Sequence, residues 1–270
     1  MKTNSPSYYQ EVGDYYDKDA LEFESRYWKN PVLQQIRLDF RFFVIKEEFS
    51  KVLEIGIGSG LDLAHFSKIY QDVDFDGIDV SQEMVNVAQH KITKGQLDNM
   101  TVKKGTVEDV ESLFPNKKYD LIYVFFGALN TVEHLDEVAT KLNDLLTKEG
   151  KMVLTFVNKW YLMGILIELL KLNWGTAFSR IKKIWGGYSP SRHLASTCYS
   201  PKNIKKIFSD FTIVERKGYS IVHPAWYYHR ISEKIGKKGR LVLWKIDEFL
   251  NKTIAWKWGE YTLFVFRKKS

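Results

Sequence analysis

The chain has little cysteine, no long apolar run and no metal-binding pattern. Cys198 is the single cysteine in 270 residues, so no internal disulfide can form. A reducing compartment, the cytoplasm, is the simplest expectation. No stretch reaches the about 20 apolar residues that a membrane-spanning helix needs. The first residues carry Glu11, Asp14, Asp17 and Asp19 where a secretory signal would be basic and then apolar, so no signal peptide is expected. Paired cysteines and His-x-x-x-His are missing, and no Ser/His/Asp arrangement is evident, so neither a metal centre nor a hydrolase triad is expected. Internal repeats and low-complexity linkers are absent as well. What is present is ordinary for a soluble globular protein: 44% hydrophobic and 27% charged residues. The length suits one large α/β domain with an elaboration, or two small domains.

Charge is divided unevenly. Residues 1–150 hold 17 Lys+Arg against 26 Asp+Glu, and residues 151–270 hold 23 against 7. The net +7 is therefore an acidic half joined to a strongly basic one. Seven of the eight tryptophans, all but Trp28, also fall in the second half. A basic, aromatic-rich half suggests a meeting with something anionic.

Along the chain, residues 1–46 read as irregular helix rich in aromatics, with Pro31 opening a helix after Asn30. From residue 51 strand and helix alternate. KVLEIG, DFDGIDV, MTVKKG, YDLIYVFF and GKMVLTFV read as strands, and the segments between them as helices, one capped by Ser81. YDLIYVFF is nearly all apolar, as expected of a strand buried on both faces. Such alternation predicts parallel β units with right-handed crossovers. The regularity breaks after Asn158. WYLMGILIELLKLNW is apolar nearly all round, and the basic SRIKKIWGGYSPSRH reads as loop. Ser200-Pro201 starts a helix, DFTIVERKG is a strand, residues 228–249 are helical, and YTLFVFRK is the last strand.

In KVLEIGIGSGLDL, residues 51–63, a strand runs into Gly56, Gly58 and Gly60, and a helix follows. Glycines permit positive φ and close backbone approach, and the following helix N-terminus presents free N–H groups. The dinucleotide fingerprint G-x-G-x-x-G would need glycine at position 61, which is Leu61. The strict alternation after Glu54 instead resembles the first motif, [D/E]-x-G-x-G-x-G, of class I S-adenosylmethionine-dependent methyltransferases. GIDVSQEM resembles that family's second motif, KKGTVEDV its third, YDLIYVFFGALNTVEHL its fourth, and LLTKEGKMVLTFVNK its fifth strand with the preceding turn.

The resemblance implies an α/β fold: a Rossmann-like, seven-stranded, mostly parallel sheet with the last strand antiparallel, carrying helical lid insertions. It divides the chain into an N-terminal helical cover (1–46), a cofactor-binding core (47–158), a helical lid insertion (159–199), the remainder of the core sheet (200–218 and 261–270) and a basic, aromatic-rich helical insertion (219–260). It implies S-adenosyl-L-methionine as cofactor. Glu54, Gly56, Gly58 and Gly60 would hold it, with Asp79 on the ribose hydroxyls and Val80 and Met84 near the adenine. Gly105, Thr106 and Val107 belong to the third segment, and Phe126 and Gly127 to the fourth. Thr106 departs from the family, which often has an acid there for the adenine amino group; threonine, Glu108 or the backbone can substitute. An N-terminal aromatic often covers the cofactor, and Tyr15, Tyr16, Arg26 and Trp28 are the candidates.

Methyl transfer requires alignment and desolvation of the nucleophile, with a general base only for acceptors of high pKa. The site is expected off the C-terminal strand edges, with Asn130 and Thr131 toward the substrate. The general base is left unassigned. His134, His193 and His223 are weak candidates, whereas His65 and His90 belong to core helices. The acceptor is expected to be small or lipid-like, methylated on O, N or C. The apolar segment 160–174 reads either as a buried lid helix or, with Trp160, Trp174, Lys182 and Lys183, as an interfacial helix on an anionic membrane. One alternative is an RNA-directed methyltransferase using the basic half, although FFGALN is unlike the Pro-Pro-aromatic motif of base-amino methyltransferases. Another is a non-catalytic regulator that binds the same cofactor.

Overall fold

The computed structural model describes residues 6–189 and 192–269, with α1 from Pro6 to Asp17, α2 Ala20–Lys29 and α3 Pro31–Ile45 preceding the first strand. The alternating part then runs β1 (Lys51–Ile55), α4 (Leu61–Ile69), β2 (Asp74–Asp79), α5 (Gln82–Gly95), β3 (Met100–Lys104), α6 (Val110–Leu113), β4 (Tyr119–Val124), α7 (Leu135–Leu145) and β5 (Leu146–Val157). The second half holds α8 (Leu162–Leu170), α9 (Trp174–Ala177), α10 (Pro201–Ile207), β6 (Phe211–Tyr219), α11 (His229–Leu250) and β7 (Tyr261–Lys268).

The strands form one seven-stranded sheet in the order β3-β2-β1-β4-β5-β7-β6. The strands from β3 to β5 pair in parallel, and β7 runs antiparallel to both of its neighbours, β5 and β6. This is the expected sheet. Side chains alternate along each strand. Val52, Leu121 and Val153 therefore pack under α3, α4 and α5, while Leu53, Ile122 and Leu154 pack under α7 and α10. The strand order reverses between β1 and β4, where an open α/β sheet leaves a crevice beyond its C-terminal edge.

Local signals set the helix starts. The Asn30 side chain accepts from Val32 N and Leu33 N, each at 3.1 Å, ahead of Pro31. Ser81 Oγ accepts from Met84 N at 3.1 Å. Ser200 and Asn203 form a reciprocal capping box. The N-terminal helices dock onto this frame by contacts that propensity does not reveal. Asp17 Oδ1 accepts from Ser81 Oγ at 2.6 Å and from Glu83 N at 3.0 Å. Gly13 passes so close to β2 that a Cβ there would lie 2.9 Å from Val80 O.

Two expectations change in the second half. The helix of 160–174 covers only nine residues and turns at Leu172, whose φ is +59°. Its outer face is not buried, since Leu166 is 51% and Leu170 76% exposed. One face of α8 packs on Tyr161, Ala225 and Tyr228, and among the described residues nothing covers the other. The last long helix is broken at Gly236, where φ is +70°. No helix among the described residues is long and apolar enough to cross a membrane.

Candidate cofactor and acceptor site

The turn after β1 is held from two sides. Gly56 N and Ile57 N both donate to Ile78 O, at 2.9 and 3.1 Å, which ties the turn to the end of β2. Asp79 closes it: Oδ2 accepts from Gly58 N at 2.8 Å and Oδ1 from Ser81 N at 2.9 Å. Gly56 has φ +69°, and a Cβ on it would fall 2.5 Å from the Cβ of Ala128. That position must be glycine both for its backbone and for the close approach of the turn after β4. The Asp79 carboxyl is buried, and burial pushes it up to about 6 against the downward pull of the amides it accepts from.

Above this turn lies a cavity of about 390 Å³. Small-molecule sites run from about 300 to 1,000 Å³. Its wall brings together Gly56, Gly58, Asp79, Val80 and Met84 from the first two motifs. Gly105, Thr106 and Val107 join them from the third, and Phe126, Gly127, Asn130 and Thr131 from the fourth. Asn130 is fixed in place: its side chain donates to Thr197 O at 2.6 Å and accepts from Val157 N at 2.9 Å. Thr106 is occupied otherwise than expected, its hydroxyl and amide both donating to Asp109 Oδ2 at 2.9 Å.

Several expected residues lie elsewhere. Gly60 is behind the wall, where its φ of +73° starts α4. Glu54 is also outside the wall, because neighbours on a strand face opposite ways and Ile55 takes the cavity side. Glu54 is instead buried, accepts from Tyr123 Oη at 2.9 Å, and is pushed well above the usual carboxylate range by burial and by nearby Asp62. None of the three candidate histidines lines the cavity. His134 starts α7, His193 is exposed beside Gly186, and His223 is buried with Nδ1 2.8 Å from Pro224 O. Tyr15, Tyr16 and Arg26 reach the wall, but Trp28 points to solvent at 61% exposure.

The wall also takes in residues that the motifs did not single out: Arg37, Trp185, Tyr188, Trp226 and Tyr261. Arg37 donates to Asp62 at 2.5 Å, and its guanidinium lies 4.6 Å from the centres of both the Tyr27 and Phe126 rings. Asp19 pairs with both Arg26 and Arg192, which ties the start of α2 to Arg192, both on the cavity wall. Tyr261 carried a weak signal. As the first residue of a strand antiparallel to β5, it must sit at the C-terminal edge of the parallel strands. Nothing marked Arg37 or Trp226.

A methyltransferase-domain family matches residues 52–150. Residues 52–150 are a methyltransferase domain. Malonyl-[acyl-carrier protein] O-methyltransferase 1 of Ilyobacter polytropus is 34% identical over 114 residues, which is 41% of this chain and 39% of that protein. An uncharacterized protein of Rickettsia prowazekii is 23% identical over 71% of this chain and 81% of its own. Among solved structures, a methyltransferase of Thermotoga maritima described as a possible histamine N-methyltransferase superposes with a TM-score of 0.57 at 14% identity, over 95% of this chain and 99% of that one; it supports the fold alone. S-adenosyl-L-methionine is the cofactor of such domains. The residues present suit it. Gly56 has no room for a side chain against Ala128, Gly58 holds a positive φ of +52°, and each Asp79 oxygen gives one contact to a backbone amide. An ionised carboxylate has about four acceptor sites, so Asp79 keeps capacity for a pair of hydroxyls.

Proposed function

We propose that this methyltransferase holds its cofactor at Gly56, Gly58 and Asp79 and methylates an O, N or C nucleophile of a small or lipid-like, amphipathic acceptor. One observation carries the reading: a single cavity joins the glycine turn and Asp79 to an aromatic end formed by Trp185, Tyr188, Trp226 and Tyr261. When bound, S-adenosyl-L-methionine supplies an electrophilic methyl group. The chain's own residues do the rest. Val80, Met84 and Val107 offer an apolar slot for a flat ring beside Asp79. Phe126 and Gly127, in consecutive left-handed conformations with φ +52° and +76°, turn the backbone after β4 into the middle of the cavity. The aromatic walls exclude water from the nucleophile, which raises its reactivity and orients it.

Calorimetry with S-adenosyl-L-methionine tests this. The wild type binds, and Asp79→Ala weakens binding strongly. Failure of the wild type to bind would sink the reading. Binding without any labelled methyl passing to lipids, small molecules or RNA of cell extracts favours the regulator alternative.

A second reading concerns where the enzyme works. α8 carries Leu162, Leu166 and Leu170 along its uncovered side, followed by Leu172 at 78% exposure and Trp174. Lys171, Lys182 and Lys183 flank them at the surface. Glu168, the acid of this segment, turns inward to Tyr228 Oη at 3.1 Å. An aliphatic face edged by tryptophan and lysine, with no outward acid, suits an anionic bilayer surface. The expected result is co-sedimentation with phosphatidylglycerol vesicles but not with phosphatidylcholine vesicles, lost at high salt. Indifference to both vesicles, with steeply salt-dependent RNA binding, would replace this reading with the RNA-directed one.

A further inference from the structure

Glu260 immediately precedes Tyr261, the first residue of β7, and is 0% exposed. Its backbone is fixed beside the end of β5, where Asn158 N donates to Glu260 O at 2.8 Å. That is the sheet edge on which the cavity lies. The carboxylate is incompletely matched. Oε1 accepts from Arg180 at 3.3 Å, and Oε2 has no partner at normal hydrogen-bond geometry. A buried ion pair that serves only the fold is expected to be short, two-pronged and fully hydrogen-bonded. This pair is long, and Arg180 divides its donors, giving one to Tyr227 Oη at 3.1 Å.

The titratable groups facing Glu260 are Arg180, Tyr161, Tyr188, Tyr227, Tyr261 and the buried thiol of Cys198. Burial holds the Glu260 carboxyl up at about 7 even with Arg180 beside it. It also pushes the Tyr188 and Tyr261 phenols upward, so both stay protonated at neutral pH. Tyr188 Oη donates to Tyr261 Oη at 2.9 Å, and both rings belong to the cavity wall. Tyr188 also interacts with the Glu260 carboxylate. Tyr261 stands edge-on to Phe126, with ring centres 6.0 Å apart, beside the turn that closes the cofactor end. A line of exchangeable groups therefore leads from the cavity through Tyr261 and Tyr188 to a carboxylate with a spare oxygen.

We propose that Glu260 receives, through the hydroxyls of Tyr261 and Tyr188, the proton that the acceptor gives up when it is methylated. The proposal rests on the methyltransferase reading. In the relay, the O–H or N–H bond of the acceptor breaks and its proton joins the Tyr261 oxygen. Both hydroxyls first rotate, Tyr188 from Tyr261 toward Glu260 and Tyr261 toward Tyr188; the proton already on Tyr261 then moves to Tyr188, and the one on Tyr188 moves to Glu260 Oε2. Each tyrosine ends as it began, and Glu260 changes from carboxylate to carboxylic acid. The proton returns to solvent by the same line once product has left. Tyr261 is the group that touches the acceptor, and Glu260 acts through it.

The test needs neither acceptor nor turnover. Infrared titration of the ligand-free protein, labelled with ¹³C-glutamate, should show a carboxylic-acid band that grows as pH falls through about 7 and is missing from Glu260→Gln. NMR of ring-labelled tyrosine, with resonances assigned by Tyr188→Phe and Tyr261→Phe, should show both signals shifting with that same midpoint. Both shifts should vanish in Glu260→Gln; should that variant not fold, the wild-type midpoints alone decide. Absence of the band at every pH where the wild type stays folded would make Glu260 a plain structural partner of Arg180 and overturn the relay. So would a titrating Glu260 that leaves the Tyr261 signal unmoved. Cofactor binding, measured separately by calorimetry, bears on the methyltransferase reading alone.

Discussion

Replacing Asp79 with asparagine should make the protein more stable and worse at binding its cofactor. The carboxyl sits at about 6 in the folded chain against an ordinary 3.8, and burial is the largest cause. Above the folded value the group is ionised in both states, and the native state bears the cost of a buried charge. Between the two values the native state binds more protons than the unfolded one. Below both, the group is neutral in both states and the cost is gone. Stability from this residue therefore rises as pH falls. At about 1.4 kcal/mol per pH unit, the gap corresponds to about 3 kcal/mol at neutral pH. Asparagine removes the charge but can accept only one of the two amides, those of Gly58 and Ser81, which returns about 1–2 kcal/mol. The net gain is about 1–2 kcal/mol, or about 2–4 °C in Tm per kcal/mol for a chain of this size. The gain should be present at about pH 8 and absent or reversed at about pH 4. Cofactor affinity should fall about 10- to 150-fold, the worth of one charge-assisted hydrogen bond. Thermal melts at the two pH values and calorimetry check both halves. A variant less stable than wild type at both pH values would refute the burial argument. Undiminished affinity would remove Asp79 from the cofactor site.

Gly56→Ala should cost about 1–3 kcal/mol in urea unfolding, because its φ is +69° and the new Cβ meets Ala128. It should also lower cofactor affinity at least about tenfold, since the displaced turn after β4 forms the cavity floor. Arg37→Leu should destabilise by about 3 kcal/mol, the lower end for breaking a buried ion pair, because Arg41 remains on Asp62 at 2.6 Å. An urea midpoint unchanged in that variant would contradict the pairing. Leu166→Glu with Leu170→Glu should leave stability within about 0.5 kcal/mol, both side chains being exposed, while abolishing sedimentation with anionic vesicles.

The sheet was legible because its information is local. β1, β4 and β5 announce themselves by aliphatic runs, and Ser81 and Asn30 cap helices as their chemistry demands. The second half was less so. An apolar run such as WYLMGILIELLKLNW looks the same whether a protein core or some other apolar phase covers it. Only placement shows that Glu168, a seeming interruption, is the inward residue, and that the leucines face out.

The glycine-turn side of the cavity was readable for a similar reason: four short motifs sit on the ends of β1 to β4, and parallel topology must bring those ends together. The aromatic part of the wall obeys no such rule. Arg37, Tyr188, Trp226 and Tyr261 come from four separated stretches and meet only through tertiary packing, as when Asn30 Nδ2 reaches the carbonyl of Trp226 at 2.9 Å. Histidine is the natural first candidate for a base because imidazole is the side chain whose ordinary pKa lies nearest neutrality, yet His134, His193 and His223 all lie off the cavity wall. A glutamate reaches the same range only by losing its water, and nothing in the string WGEYT says that Glu260 is dry. That depends on Arg180, Tyr161 and Tyr227 enclosing it from segments 30 to 100 residues away in the chain. Fold is therefore written in local pattern, cofactor choice in pattern joined to topology, and acid–base chemistry in burial. The first two can be read from one sequence; the third needs the packed molecule.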